Sequence, residues 1–140
     1  MPDMPVRVGH RASFTKTVTD EDVAGFARVT GDDQRLHLDD SFAAKTRFGK
    51  RIAHGMLSAG VISAALGTKL APDSLVVYLS QQLRFRRPVS IGDTITADCE
   101  VTAVDEEKRI VTVRTDCTNQ DGDVVVTGEA SVLLDPLPAP

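Results

Sequence analysis

The second half of the chain carries a regular alternation of apolar and polar side chains. The alternation is strictest over residues 94–104, where every second residue is apolar and the residues between are threonines and acids. A period of two is typical of a β-strand with one buried face. The apolar positions are Ile95, Ala97, Cys99, Val101 and Ala103. Further strands are predicted over 75–85, 110–117 and 124–133, and the short turns between the strands favour an antiparallel meander.

The first half of the chain shows helical signals instead. Residues 19–22 are a threonine followed by three acids, which predicts a helix capped by Thr19, and Gly31 predicts its end. A second short helix is predicted to begin at residues 39–41. The run 55–68 is apolar almost all round, with Gly67 near its end. This pattern predicts a central helix that is buried on most sides.

These elements predict an α+β fold in which a curved antiparallel sheet wraps around the central helix. A first strand over 6–18 precedes the helices. A single domain over 1–140 suits a chain of 140 residues, and the proline-rich residues 135–140 are predicted to be a frayed tail. The exposed edge of such a sheet would be covered if two copies paired across a two-fold axis. We therefore expect a homodimer.

Composition narrows the class of protein. The chain is 41% hydrophobic and 26% charged, as soluble globular proteins are, and its net charge of −4 gives little support to nucleic-acid binding. Residues 1–5 have no basic segment followed by an apolar run, so no signal peptide is predicted. The longest uncharged run, 52–68, is shorter than the about 20 apolar residues that span a bilayer. We expect a cytoplasmic protein with no nucleic-acid or membrane partner.

The two cysteines, Cys99 and Cys117, each lie in a predicted strand, without a second cysteine or a histidine at metal-binding spacing. The interpretation is two small thiols that are buried or half-buried. A disulfide or a catalytic thiol is the alternative. No metal site is predicted.

The chemistry is concentrated between residues 31 and 56. Asp32 and His37 are five positions apart in a predicted loop, where both side chains could contact one small polar target. Gly55 opens the central helix, and backbone N–H groups at a helix start can bind an oxyanion. Between them lies a basic connector, which is either a solvated loop or an attractor of a phosphate-bearing ligand. It contains Lys45, Arg47, Lys50 and Arg51.

Two motifs point to a known family. The first places Phe26, Asp32, His37 and Asp39 at fixed spacing, and the second is the run IAHGML at 52–57. Residues 83–93 and 128–130 match as well. Over essentially the whole chain, this pattern resembles the (R)-specific enoyl-CoA hydratases of the MaoC-like hot-dog family. The family usually has Asn-Pro where this chain has Gln34-Arg35, a change that bears on loop rigidity and substrate preference.

The resemblance implies a hydro-lyase of fatty-acid metabolism or polyhydroxyalkanoate precursor supply. It would hydrate trans-2-enoyl-CoA reversibly to (R)-3-hydroxyacyl-CoA, without a cofactor beyond the coenzyme A of the substrate. Asp32 and His37 are implied as the catalytic pair, the Gly55 N–H as the oxyanion donor and Ser63 as a supporting polar group. Candidate contacts to coenzyme A are Arg84, Arg86, Arg87, Lys45 and Arg47.

Each of these residues also has a plainer interpretation. Asp32 could cap a turn, His37 could be a packed imidazole, and Gly55 could merely accommodate the backbone. Ser63 could bond to the carbonyl four residues earlier, and His54 is expected to make a structural hydrogen bond. Two other functions stay open, a hot-dog acyl-CoA thioesterase and a non-catalytic acyl-thioester-binding subunit. The paired Asp-His and His-Gly signature argues against the thioesterase.

Overall fold

The elements of the protein are defined by a computed structural model that describes residues 3–140, so the first two residues of the N-terminal stretch lie outside the described part. In chain order the elements are β1 (Arg11–Thr17), α1 (Asp20–Thr30), α2 (Arg35–Leu38), α3 (Asp40–Ala43), α4 (Gly55–Ala65), a π-helical turn (Leu66–Leu70), β2 (Ser74–Phe85), β3 (Thr94–Asp105), β4 (Ile110–Thr118) and β5 (Val124–Pro136).

The strands form one antiparallel sheet in the order β1-β3-β4-β5-β2. Helix α4 packs against the sheet, mainly on β3 and β1. The core between them is aliphatic and includes Ile62, Leu66, Ile95, Val113, Val132 and Leu134. The predicted fold class, an antiparallel sheet around a central helix, is confirmed.

The position of β2 differs from the prediction. Strands β3, β4 and β5 form the expected meander, but β2 pairs with β5 instead of β3. The connection over 86–93 crosses the sheet, and its far end is bonded to the end of β1, with the Gly92 N–H 2.7 Å from the Val18 carbonyl oxygen. Strands β1 and β2 are therefore the two edges of the sheet.

Helix α1 begins and ends where the sequence predicts. The Thr19 hydroxyl accepts a hydrogen bond from the Asp22 N–H, and the Asp22 carboxylate accepts one from the Thr19 N–H. At the other end Gly31 adopts φ +86°, a left-handed conformation that glycine tolerates best. The chain leaves α1 in a fixed direction, and Asp32 is the next residue.

The central helix is less buried and longer than predicted. Ser58, Val61, Ile62 and Ala65 are buried against the sheet, while the opposite face is partly open, so the expected burial on most sides is wrong for a single chain. The helix also continues beyond α4 as the π-helical turn, so Gly67 does not end it. The open face forms the wall of a cavity.

A bulge interrupts the alternation of β3. The pairing of β3 with β4 shifts between Val101 and Ala103, after which Ala103 is exposed and Val104 packs against the core. The predicted inward position of Ala103 is therefore wrong. One extra residue in a strand turns the side chains that follow to the other face.

Two strand ends also differ from the prediction. The first strand begins at Arg11 instead of residue 6. Strand β5 extends into the predicted frayed tail, because Asp135 pairs with Leu75 and Pro136 with Ser74. Only residues 137–140 follow the last strand.

Both cysteines are buried free thiols, as predicted. Burial raises the pKa of Cys99 and of Cys117 to about 12. A thiol with so high a pKa carries almost no thiolate at neutral pH, which makes it a poor nucleophile.

Candidate active site

Asp32 is held at the exit of α1 by a residue that the sequence pattern did not single out. Its backbone N–H donates to the Thr30 hydroxyl at 3.2 Å, and that hydroxyl donates to the Phe26 carbonyl at 2.7 Å. A threonine at the end of a helix commonly forms such local bonds. They leave the Asp32 carboxylate free to face the cavity that it lines.

His37 lies in the short helix α2, whereas the sequence predicted a loop. The side chain is buried, and its Nδ1 is 2.7 Å from the Ile52 carbonyl oxygen. Because a carbonyl only accepts hydrogen bonds, Nδ1 must be the protonated nitrogen. In the neutral ring Nε2 then carries the lone pair and can accept a proton.

His54 connects the two predicted catalytic residues. Its ring stacks on His37 with 3.9 Å between centroids and contacts Phe26 on another side at 4.6 Å. Its Nε2 donates to the Asp32 backbone carbonyl at 2.8 Å. The predicted structural hydrogen bond of His54 is confirmed. Its Nδ1 is buried without a hydrogen-bond partner among residues 3–140.

The carboxylate of Asp32 lies close to the imidazole rings of His37 and His54. One carboxylate oxygen of Asp32 and one ring nitrogen each of His37 and His54 all lie within 4.8 Å of one another. One water can bond to two atoms at that separation, because each O–H···O or O–H···N bond is about 2.8 Å long. The same three side chains are of the types that bind metal ions. That the site works without a metal stays a prediction.

The predicted site residues line one cavity of about 720 Å³. Asp32, His37, Gly55 and Ser63 are all part of its wall. The remaining wall is formed by Phe26, Thr30, Gln34, His54, Met56, Ala59 and Gly60. A mainly apolar cavity whose wall also contains an acid and two imidazoles suits a ligand with an apolar chain and a reactive polar group.

Gly55 stands between two cavities. As the first residue of α4 it has an N–H that the helix itself does not bond. A Cβ at this position would lie 2.9 Å from the Phe85 ring, so a larger residue here would require the exposed Phe85 side chain to move. Gly55 and Met56 line a second cavity of about 410 Å³, whose wall includes Phe48, Phe85, Arg86, Arg87 and Pro88.

The basic candidates are not all near the site. Arg86 and Arg87 line the second cavity, next to Gly55. Arg84, Lys45 and Arg47 are exposed and line neither of the two cavities.

Ser63 lines the first cavity on the open face of α4. Its hydroxyl makes no hydrogen bond to any of residues 3–140, so the alternative bond to the Ala59 carbonyl is absent from the described part of the chain. The hydroxyl is free to contact a ligand, as a supporting group would.

The pair Gln34-Arg35, which replaces the usual Asn-Pro, makes side-chain contacts next to the two predicted catalytic residues. The Gln34 amide is 3.4 Å from the Asp32 carboxylate, and the Arg35 guanidinium pairs with Asp39 at 3.1 Å and lies over the Phe42 ring. Hydrogen bonds from the Phe42 N–H, from the adjacent serine hydroxyl and from Arg35 lower the pKa of Asp39 to about 2. Side-chain bonds thus replace part of the rigidity that a proline would supply.

Comparison with known proteins agrees with this architecture. A family model described as "MaoC like domain" matches residues 5–122. The chain is 46% identical over 129 residues to an (R)-specific enoyl-CoA hydratase of Rhodospirillum rubrum, covering 92% of this chain and 88% of that protein. It is 48% identical over 128 residues to a 3-hydroxybutyryl-CoA dehydratase of Methylorubrum extorquens, covering 91% and 80%.

A solved structure extends the likeness to three dimensions. The (R)-hydratase from A. caviae, described as involved in PHA biosynthesis, superposes with a TM-score of 0.87 at 45% identity. The alignment covers 92% of this chain and 97% of that one. The motifs, the fold and these matches agree, and this chain belongs to the MaoC-like domain family.

Proposed function

We propose that this chain hydrates trans-2-enoyl-CoA reversibly to (R)-3-hydroxyacyl-CoA. The observation that carries the proposal is the juxtaposition of Asp32 and His37, within 4.8 Å of each other, on the wall of a cavity that also contains the start of α4 at Gly55. The expected class of enzyme is confirmed, since hydratases and dehydratases of this kind are hydro-lyases and the similar proteins carry those names.

The acid/base pair acts on one water. Asp32 and His37 hold the water next to Cβ of the enoyl group, and one of them accepts a proton as the water oxygen bonds to Cβ. The other begins the step protonated and delivers that proton to Cα, so the pair ends with the number of protons with which it began. Because the hydroxyl and the proton arrive from one side, the addition is syn.

Negative charge gathers on the thioester oxygen while the C–O bond forms. The Gly55 N–H, at the start of α4 in the wall of the first cavity, is proposed to donate to this oxygen, and the positive end of the α4 dipole adds to its effect. Ser63, on the same open face of α4, supports the bound substrate.

The coenzyme A part of the substrate is proposed to bind in the second cavity. A thioester bound at Gly55 would place the acyl chain in one cavity and the pantetheine in the other, because Gly55 lines both. Arg86 and Arg87 then lie where phosphate groups could pass. Contacts from Arg84, Lys45 and Arg47 stay predictions.

The direct test of the function uses crotonyl-CoA in deuterated water. We expect loss of the enoyl-thioester absorbance and an (R)-3-hydroxybutyryl product with deuterium syn to the hydroxyl, because the water and the proton-donating group act from the same face of the enoyl group. An (S)-product, or anti addition, would contradict the shared-water mechanism. Release of free thiol would favour the thioesterase, and binding without either reaction would favour the acyl-thioester-binding subunit.

A homodimer is proposed from the edge strand β2. Its exposed apolar side chains would be covered by a second copy paired edge to edge. They are Leu75, Val77, Tyr78, Leu79 and Phe85. We expect sedimentation at micromolar concentration to give twice the 15.0 kDa mass of the chain. A single species of 15.0 kDa would contradict the dimer.

Residues 3–140 contain no helix with the length and apolar character needed to cross a bilayer. A cytoplasmic location stays a prediction. A role in fatty-acid metabolism or in supplying polyhydroxyalkanoate precursors is proposed from the description of the A. caviae relative.

A further inference from the structure

Arg51 connects three short elements around the acid/base pair. Its Nε donates to the His37 backbone carbonyl at 2.8 Å, and its two terminal nitrogens lie 2.5 Å from an Asp20 carboxylate oxygen and 3.6 Å from one of Asp40. These partners belong to α2, α1 and α3 respectively. The Arg51 side chain is only 12% exposed, although both acids are largely open to solvent.

Ile52, the residue after Arg51, contacts the ring of the same histidine. The Ile52 carbonyl accepts the Nδ1–H of His37, so neighbouring residues hold the backbone and the ring of His37. This clamp is anchored on the sheet connection, because Ile52 bridges Ser90 and the Ala53 N–H donates to the Val89 carbonyl at 2.7 Å.

Helix α2 needs such an external support. It has four residues, and its first position receives no side-chain cap. A helix of one turn is unstable in isolation, because a single turn fixes several dihedral angles for very few hydrogen bonds. The direction of the His37 ring therefore depends on contacts from outside α2.

We propose that Arg51 is a positioning residue for His37. It fixes the α2 backbone against α1 and α3, so that the ring keeps its Nδ1–H on Ile52 and presents Nε2 to the water beside Asp32. The catalytic part of this proposal rests on the proposed hydration. Arginine is required because its planar fork can donate to a carbonyl and pair with a carboxylate at once, which a lysine ammonium does with less fixed geometry.

The kinetic test compares Arg51→Met and Arg51→Lys with the wild type. We expect Arg51→Met to lower kcat for crotonyl-CoA about 100-fold, the loss that a displacement of about 1 Å in a catalytic group can cause. The KM should change by less than about twofold, because the observed contacts of Arg51 are to protein groups. The kcat of Arg51→Lys should lie between that of Arg51→Met and that of the wild type. Arg28→Met, which removes an exposed arginine of α1, is the matched control and should keep the wild-type kcat.

A second readout is independent of turnover. Nitrogen-15 spectra of the His37 imidazole should show the Nδ1–H tautomer in the wild type and a mixture of tautomers in Arg51→Met. This measurement tests the positioning even if the wild type proves not to hydrate enoyl-CoA. Arg51→Lys supplies the same comparison if Arg51→Met does not fold.

Two results would overturn the proposal. One is a folded Arg51 variant whose His37 signals are those of the wild type. The other is a loss that appears wholly as a higher KM, which would make Arg51 a substrate contact.

Discussion

Replacing Asp32 with asparagine is expected to lower kcat by about 10²–10⁴-fold, the range for removal of an acid/base group, while the fold stays intact. The amide keeps the shape and size of the carboxylate but cannot accept a proton. The backbone that holds residue 32 depends on the Thr30 hydroxyl and on His54, and neither contact involves the side chain of Asp32. The loss should therefore appear in turnover and not in melting temperature.

The measurement is the hydration rate of crotonyl-CoA with each purified variant, together with its thermal unfolding. Asp33→Asn is the matched control, because Asp33 is the adjacent acid, is exposed and does not line the cavity. It should retain the wild-type rate. If Asp32→Asn kept more than about half of the wild-type rate, the assignment of Asp32 as an acid/base group would be wrong.

Replacing Gly128 with alanine is expected to destabilise the fold by about 3 kcal/mol or more, the upper end of the range for overpacking. A Cβ at this position would lie 2.3 Å from the Gln82 backbone oxygen and 3.0 Å from a methyl of Leu83. A carbonyl within a paired strand cannot move aside as a flexible side chain can. Strands β2 and β5 would have to separate there, because Gly128 pairs with Leu83.

Thermal unfolding gives the measurement, and a decrease in Tm of roughly 10 °C is expected for a domain of this size. Gly67→Ala is the control, since a Cβ there would meet nothing within 4 Å and the residue is helical. It should leave the Tm unchanged or raise it slightly, because alanine favours helix more than glycine does. A Tm for Gly128→Ala equal to that of Gly67→Ala would show that the strand pair adapts without cost.

Local patterns in the sequence were enough to predict the structural features that are set by residues close together in the chain. The capping box at Thr19, the left-handed Gly31 and the alternation over most of β3 were predictable, because each arises from contacts between residues two to four positions apart. The spacing of Asp32 and His37 was also readable, although placing the two side chains in one cavity with Gly55 required the fold.

Tertiary contacts decided what depends on residues far apart in the chain. Three features depend on how the sheet packs on the core. They are the pairing of β2 with β5, the bulge that exposes Ala103 and the open face of α4. At the site, the role of Arg51 could not be predicted from the sequence for the same reason. In the sequence, Arg51 is only one of several basic residues in the connector between His37 and Gly55. Its contacts to Asp20 and to the His37 carbonyl exist only because the fold brings segments 31 and 14 positions apart into contact. Such contacts form only once the whole core has folded. The hydrophobic periodicity of a short segment predicts a helix or a strand, but it does not predict which distant segments will meet.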